Sequence, residues 1–234
     1  MFKRPHHQRI AQVLGALNGP LLQANGCLFG GGTAIALRYG EFCESVDIDF
    51  MVSDVSGYRA MRQLLTNPQG IAGIVREGAA PLEQSREIRA DQYGIRTQLR
   101  VDGQPIKLEI VLEGRIELET PSAGNELCGV TTLTVLDMAT SKLLANSYRW
   151  NDDGVFSRDL IDLALMSPAL PLLRHAVVKA EKAYGQSILN DLAKAMNRLQ
   201  TRPGWAERCM QVMAMDLPKA VLRQKLRAIK RVLP

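Results

Sequence analysis

Asp47 and Asp49 sit two residues apart in the apolar run Val46-Asp47-Ile48-Asp49-Phe50-Met51-Val52, downstream of a Gly30-Gly31-Gly32-Thr33 turn. Side chains alternate along a strand, so Val46, Ile48, Phe50 and Val52 share one face and both carboxylates project from the other. Two carboxylates so placed can hold one Mg²⁺ jointly or bridge two ions about 3.5–4 Å apart, the platform of phosphoryl-type transfer. Like charges this close repel without a cation between them, which favours a metal. A bare D-x-D also suits a solvated strand face; the glycine turn upstream shifts the balance toward chemistry. Glycines 30 to 32 permit positive φ and close approach of a ligand, and a helix starting at Thr33 offers its first amides to a triphosphate. The turn is neither a Walker A loop nor G-x-G-x-x-G.

Other residues could serve the same chemistry. Ser45 can bond a phosphate or shape the approach to the strand, and its position favours neither. In Ile106-Lys107-Leu108-Glu109-Ile110 the alternation buries the three apolar residues and turns Lys107 and Glu109 outward. Glu109 there can ligate metal, accept a proton from an acceptor hydroxyl, or form an exposed pair with Lys107. Lys142 lies in a predicted helix with Arg149 seven residues on along the same face, and lysine suits a polyphosphate as a point charge. Arg158 and Asp162, spaced i, i+4, fit a structural helix pair.

The elements that must position these residues read as follows. An amphipathic segment from His7 to Ala24 is cut short by Gly15, Gly19 and Pro20, and Cys27-Leu28-Phe29 reads as a short buried strand. A helix runs over Thr33–Tyr39 with Gly40 just past its end, the aspartate strand spans Val46–Val52, and a helix covers Tyr58–Leu65. From Ile71 to Leu118 the pattern is of strands, with Asp102-Gly103-Gln104 a hairpin signal. Val130–Leu133 leads into a helix over Val135–Tyr148, for which Thr134 and Asp137 make a capping pair. A turn at Asn151–Gly154 precedes a helix over Phe156–Met166. Beyond Pro168 everything reads helical, broken near Gly185, Pro203-Gly204 and Pro218.

These elements predict an α+β chain: a catalytic domain over residues 1–133 with a mixed sheet and flanking helices, then a helical region over 134–234. Within the latter, 134–167 completes the site and 168–234 forms basic helices. Charge divides the same way, with 16 Lys/Arg against 20 Asp/Glu in residues 1–167 and 13 against 4 in residues 168–234. The basic block suits a polyanionic partner or a solvated helix face equally. No apolar run is long enough to cross a bilayer, and the N-terminus lacks the apolar core of a signal peptide. Four scattered cysteines and three histidines show no disulfide or zinc spacing, so a cytoplasmic location is expected.

Taken together, Gly31-Gly32-Thr33-Ala34-Ile35-Ala36-Leu37-Arg38, Glu44-Ser45-Val46-Asp47-Ile48-Asp49-Phe50, Ile106–Glu109, Lys142–Ala145 and Arg158–Leu163 resemble the AbiEii/AbiGii-type nucleotidyltransferase toxins, in the DNA polymerase β-like superfamily. The resemblance covers residues 28 to 166. It implies a nucleotidyltransferase fold, nucleotide phosphates held by Gly31, Gly32, Thr33 and Ser45, and Mg²⁺ on Asp47 and Asp49. It also implies nucleotide contact by Lys142, completion of the site by Asp159, an NTP substrate and a cognate antitoxin. Some members transfer nucleotides to the 3′ end of tRNA, which suits the basic C-terminal helices as an RNA-binding element. Where relatives carry arginine before the Glu-Ser pair, this chain has Cys43, which cannot make bidentate phosphate contacts. Alternative readings are transfer to a protein or small molecule, and a catalytically silent nucleotide- or RNA-binding regulator.

Overall fold

The computed structural model describes residues 2–234. They form two compact units: the chain up to Leu37 with Ser45–Thr134, and Arg38–Glu44 with Val135–Pro234.

The first unit begins with α1 (Pro5–Ala16) and α2 (Gly19–Ala24). Gly19 and Pro20 therefore start a second helix as well as ending the first. Asn18 makes this possible, because its side chain accepts a hydrogen bond from the Leu21 amide and caps the new helix. Strand β1 (Leu28–Gly30) passes directly into α3 (Gly31–Arg38), which starts two residues earlier than the sequence suggests. Strand β2 (Ile48–Val52) and helix α4 (Val55–Thr66) follow, the helix capped by Asp54, whose carboxylate accepts from the Gly57 amide at 2.6 Å.

The apolar stretch at Ile71, expected as strand, is a 3₁₀ turn over Gly70–Ile74. Strands β3 (Glu83–Ala90), β4 (Gly94–Val101) and β5 (Gln104–Leu112) come after it, and β6 (Glu126–Leu127) pairs with β7 (Val130–Thr131). The main sheet has the order β1-β2-β5-β4-β3, with β2 and β5 parallel and the other neighbours antiparallel. Asp102 and Gly103 take positive φ in the two-residue β4–β5 hairpin, the backbone that a D-G pair favours. One sheet face is buried core, with Ile48, Phe50, Val52, Ile95, Leu99, Ile106, Leu108 and Ile110 almost fully covered. Val46, expected among them, is 43% exposed because the strand begins only at Ile48.

The second unit is helical: α5 (Val135–Arg149), a 3₁₀ turn (Asp153–Val155), α6 (Arg158–Met166), α7 (Leu170–Tyr184), α8 (Ser187–Thr201), α9 (Trp205–Val212) and α10 (Lys219–Lys230). Helix α5 packs against α6, α7 and α8. Gly185 and Gly204, both at positive φ, and Pro218 separate the later helices. Asp137 is fully buried and ion-paired to Lys179 of α7 at 2.5 Å. Residues 38–44 join this unit through two backbone hydrogen bonds, Glu44 N–H to Met213 O and Asp216 N–H to Phe42 O. Among the described residues no helix is long and apolar enough to cross a membrane.

Candidate active site

Helix α3 springs from the end of β1, so the amides of its first turn have no partner within the helix. Gly31 has φ +69°, and a Cβ there would lie 2.5 Å from Asp49 Oδ2. Glycine is thus required twice, for the backbone and for the carboxylate resting on it. Thr33 and Ser45 are buried, and their hydroxyls share a 2.6 Å hydrogen bond. That bond ties the first turn of α3 to the residues leading into β2. Helix α1 holds the same approach from another side. The Ser45 amide donates to His7 Nε2 at 3.2 Å, and His6 Nε2 meets the Val46 carbonyl at 3.0 Å. Neither histidine stood out in the sequence, since a helical histidine carries no signal of what it positions.

Asp47 and Asp49 are both partly exposed, and Asp47 makes no hydrogen bond or ion pair among the described residues. The parallel register sets Asp49 opposite Glu109 on β5, so both belong to the open face of the sheet. Glu109 accepts from Arg96 Nε and from Lys107 Nζ, each at 2.5 Å. Burial works against the Lys107 ammonium. The bond and charge of Glu109, with Asp49 and Asp47 behind it, outweigh burial and raise its pKa. Five charged groups therefore share one face: Asp47, Asp49, Glu109, Lys107 and Arg96.

Lys142 and Asp159 lie in the helical unit, inside an ion cluster. The Lys142 side chain is 7% exposed, with Nζ 3.1 Å from Asp159 Oδ1 and 2.6 Å from Asp162 Oδ2. Arg149, 42% exposed, clamps Asp159 with two hydrogen bonds of 2.7 and 3.0 Å. Arg158 sits 3.8 Å from Asp162, as the i, i+4 spacing predicts. Burial disfavours the Lys142 ammonium, yet the Asp162 and Asp159 carboxylates raise its pKa. Burial also pushes Asp159 upward, and Lys142 and Arg149 more than reverse that, holding it below the usual carboxylate range. For Asp162 burial prevails and the pKa is raised. Cys43 is fully buried in the segment that joins the helical unit.

A second basic cluster lines a cavity of about 480 Å³ between α8, α9 and α10, with Arg202, Lys219, Arg223, Arg227 and Lys230 at its walls beside Glu207. These are the basic helices that the charge asymmetry singled out.

Comparison with known proteins agrees with this architecture. The sequence model of a family described as nucleotidyl transferase AbiEii toxin, type IV toxin–antitoxin system, matches residues 13–229. The crystal structure of JHP933 from Helicobacter pylori superimposes with a TM-score of 0.54 at 15% identity, covering 99% of this chain and 91% of that one. That likeness shows a shared fold. A putative nucleotidyltransferase from H. pylori aligns over 97% of this chain and 96% of its own, at 15% identity and a TM-score of 0.45. No curated protein shows significant sequence similarity to the chain.

Proposed function

The chain belongs to the AbiEii nucleotidyl transferase toxin family of type IV toxin–antitoxin systems, and on that premise we propose that it moves a nucleotide from an NTP to an acceptor hydroxyl on RNA, with tRNA as the acceptor, in a Mg²⁺-dependent reaction. Membership makes it a nucleotidyltransferase and implies a cognate antitoxin. The metal, the NTP and the RNA belong to the proposal.

The donor set fits Mg²⁺. This ion binds through one or two carboxylates and completes its octahedron with water and phosphate oxygens. Asp47 makes no hydrogen bond or ion pair among the described residues, and the Asp49 carboxylate occupies the space a Cβ on Gly31 would fill. Among the described residues no group of three or more His, Cys, Asp or Glu is placed to hold a metal, so substrate oxygens and water would supply the remaining ligands. Bound on Asp47 and Asp49, the ion would neutralise charge at the α-phosphate and acidify the acceptor hydroxyl.

The amides of Gly31, Gly32 and Thr33 hold the triphosphate at the start of α3, and the Thr33–Ser45 bond fixes that turn relative to the aspartates. The acceptor oxygen attacks the α-phosphorus, the bond to the bridging oxygen breaks, and pyrophosphate leaves. Glu109 receives the hydroxyl proton; each of its oxygens keeps a lone pair beyond the one given to Arg96 or Lys107. In the helical unit Asp159, itself paired to Lys142, holds Arg149 with its half-exposed guanidinium open to an anionic ligand. Direct contact of Lys142 with nucleotide would require phosphate to displace Asp159 or Asp162. The basic cavity of α8–α10, within the helical unit, carries charge that suits an RNA backbone.

The observation carrying this reading is the Asp49 carboxylate seated against the positive-φ Gly31. Incubating the protein with each labelled NTP, Mg²⁺ and total RNA tests it. Label should enter RNA with the wild type and be lost with Asp49→Ala while the fold persists. Normal transfer by Asp49→Ala would refute the metal assignment, and label in protein instead of RNA would refute the acceptor.

A further inference from the structure

The open face of the sheet in the first unit carries a groove of about 690 Å³, walled in part by Asp47, Arg86, Arg89, Arg96, Lys107 and Glu87. Every residue lining it is polar or charged. Residues three apart in an unbroken strand point to opposite faces, yet Arg86 and Arg89 of β3 both line this groove. The register explains how. Arg86 stands opposite Gln98 and Arg89 opposite Arg96, so three steps along β3 are matched by two along β4. A bulge re-aims side chains in this way. Here it brings two guanidinia to one side. Arg96 and Lys107 are held by Asp91 and Glu109, whereas the Arg86 and Arg89 side chains make no hydrogen bond or ion pair among the described residues. Charge on an edge strand also discourages pairing with other chains, but that role needs no bulge and no alignment of like charges.

Sheet order gives the groove a direction. The glycine turn ends β1, the aspartates lie at β2, and the groove spreads over β5, β4 and β3. In phosphoryl-type displacement the attacking and leaving oxygens lie on opposite sides of the phosphorus. With the leaving phosphates at the β1 turn, the attacking hydroxyl arrives from the β5–β4–β3 side. We propose that this groove seats the acceptor as a single-stranded nucleic-acid segment, its backbone phosphates on Arg86 and Arg89 and its terminal hydroxyl beside Asp47. The proposal rests on the nucleotidyltransferase reading. Unpaired guanidinium forks suit phosphate oxygens, and the described lining is polar or charged throughout, with no aromatic side chain for a base to stack on. Recognition is therefore of the backbone, steep in salt and tolerant of sequence.

The test reads binding alone, without NTP or metal. Fluorescence anisotropy with a labelled single-stranded RNA oligonucleotide would compare the wild type with Arg86→Ala/Arg89→Ala at several salt concentrations. The variant should bind at least about 10-fold more weakly, and its log–log salt slope should fall by about 1.4, two single-strand phosphate contacts. Arg86→Lys/Arg89→Lys should keep the slope. Unchanged affinity and slope, or a loss confined to Arg223→Ala/Arg227→Ala in the helical unit, would overturn the proposal. Loss of NTP binding in place of RNA binding, measured by equilibrium dialysis, would also overturn it by giving the groove to the nucleotide. Because Asp49→Ala removes a negative charge and should bind the oligonucleotide at least as tightly as the wild type while losing transfer, failure of the transfer chemistry and failure of this groove are read separately.

Discussion

The two units place carboxylates in opposite ways. On the open sheet face Asp47 and Asp49 are partly exposed, and Asp47 lacks any hydrogen bond or ion pair among the described residues. In the helical unit Asp159 and Asp162 are buried and flanked by Lys142, Arg149 and Arg158. A carboxylate that no hydrogen bond or ion pair meets among the described residues, as at Asp47, can be completed by a ligand. Charge satisfied from within builds structure, at the cost of removing each ion from water. The same residue type is thus left partly open to solvent in one region and closed into an ion cluster in the other.

Neutralising one carboxylate in each region should expose the contrast. Asp49→Asn should reduce nucleotide transfer on the order of 10³-fold or more, over 4 kcal/mol of transition-state stabilisation. Its unfolding free energy should stay within about 1 kcal/mol of the wild type, because the change relieves like-charge repulsion. Urea denaturation beside the labelled-NTP assay checks both parts. A large stability loss would mean that the carboxylate is structural, and the contrast would fail.

Lys142→Met should behave in the opposite manner. It leaves Asp159 and Asp162 with too little positive charge in a dry interior, a loss of about 3–5 kcal/mol in stability. The pH dependence sharpens the point. Lys142 is held above its ordinary 10.5, so its contribution is complete below that value and disappears as pH rises through the raised pKa. Asp159 is held below 3.8, so its contribution is complete above 3.8 and is lost as pH falls through the lowered pKa. Asp162, held above 3.8 by burial, has the opposite sign and costs stability as pH rises from 3.8 toward its folded value. Urea titrations from pH 9 to 11.5 should show a shallower alkaline loss in Lys142→Met than in the wild type.

Gly31→Ala lies between these extremes. A methyl group would meet Asp49 Oδ2 at 2.5 Å on a backbone at φ +69°. The left-handed conformation alone costs about 1–2 kcal/mol. Stability should fall by about that much, and transfer should fall by more than stability, because the displaced group is Asp49 itself. Equal losses in the two measurements would show that the close approach serves only packing.

Much of the frame was legible in the sequence. Alternation located β2 and β5, Asp102-Gly103 located their neighbouring hairpin, and glycine and proline placed the breaks between the later helices. Features that depend on partners distant in the chain were not legible. Residues 38–44 join the helical unit through Met213 and Asp216, far along the sequence. The β3 bulge arises from its register with β4, and strand patterning alone gives no sign of it. The sequence singled out Lys142, Asp159 and Asp162 but not their burial in one ion cluster, because only the packing of α5 on α6 closes them off from water. The Gly70–Ile74 segment was too short and too apolar for periodicity to separate a 3₁₀ turn from a strand.

The smallest effect concerns the link between the glycine turn and the aspartate strand. Thr33→Val preserves shape and buried volume but removes the hydroxyl that shares the 2.6 Å bond with Ser45. A net hydrogen bond contributes about 1 kcal/mol, and losing one inside the core costs somewhat more. Stability should therefore fall by about 1–2 kcal/mol. If the bond only secures the core, transfer at saturating NTP should not change. If it sets the turn against the aspartates, as the sheet-face reading requires, the NTP concentration for half-maximal rate should rise several-fold. Ser45→Ala should reproduce that rise, because it breaks the same bond from the other side. An unchanged NTP requirement in both variants would leave the open face with aspartates and a glycine turn that act independently.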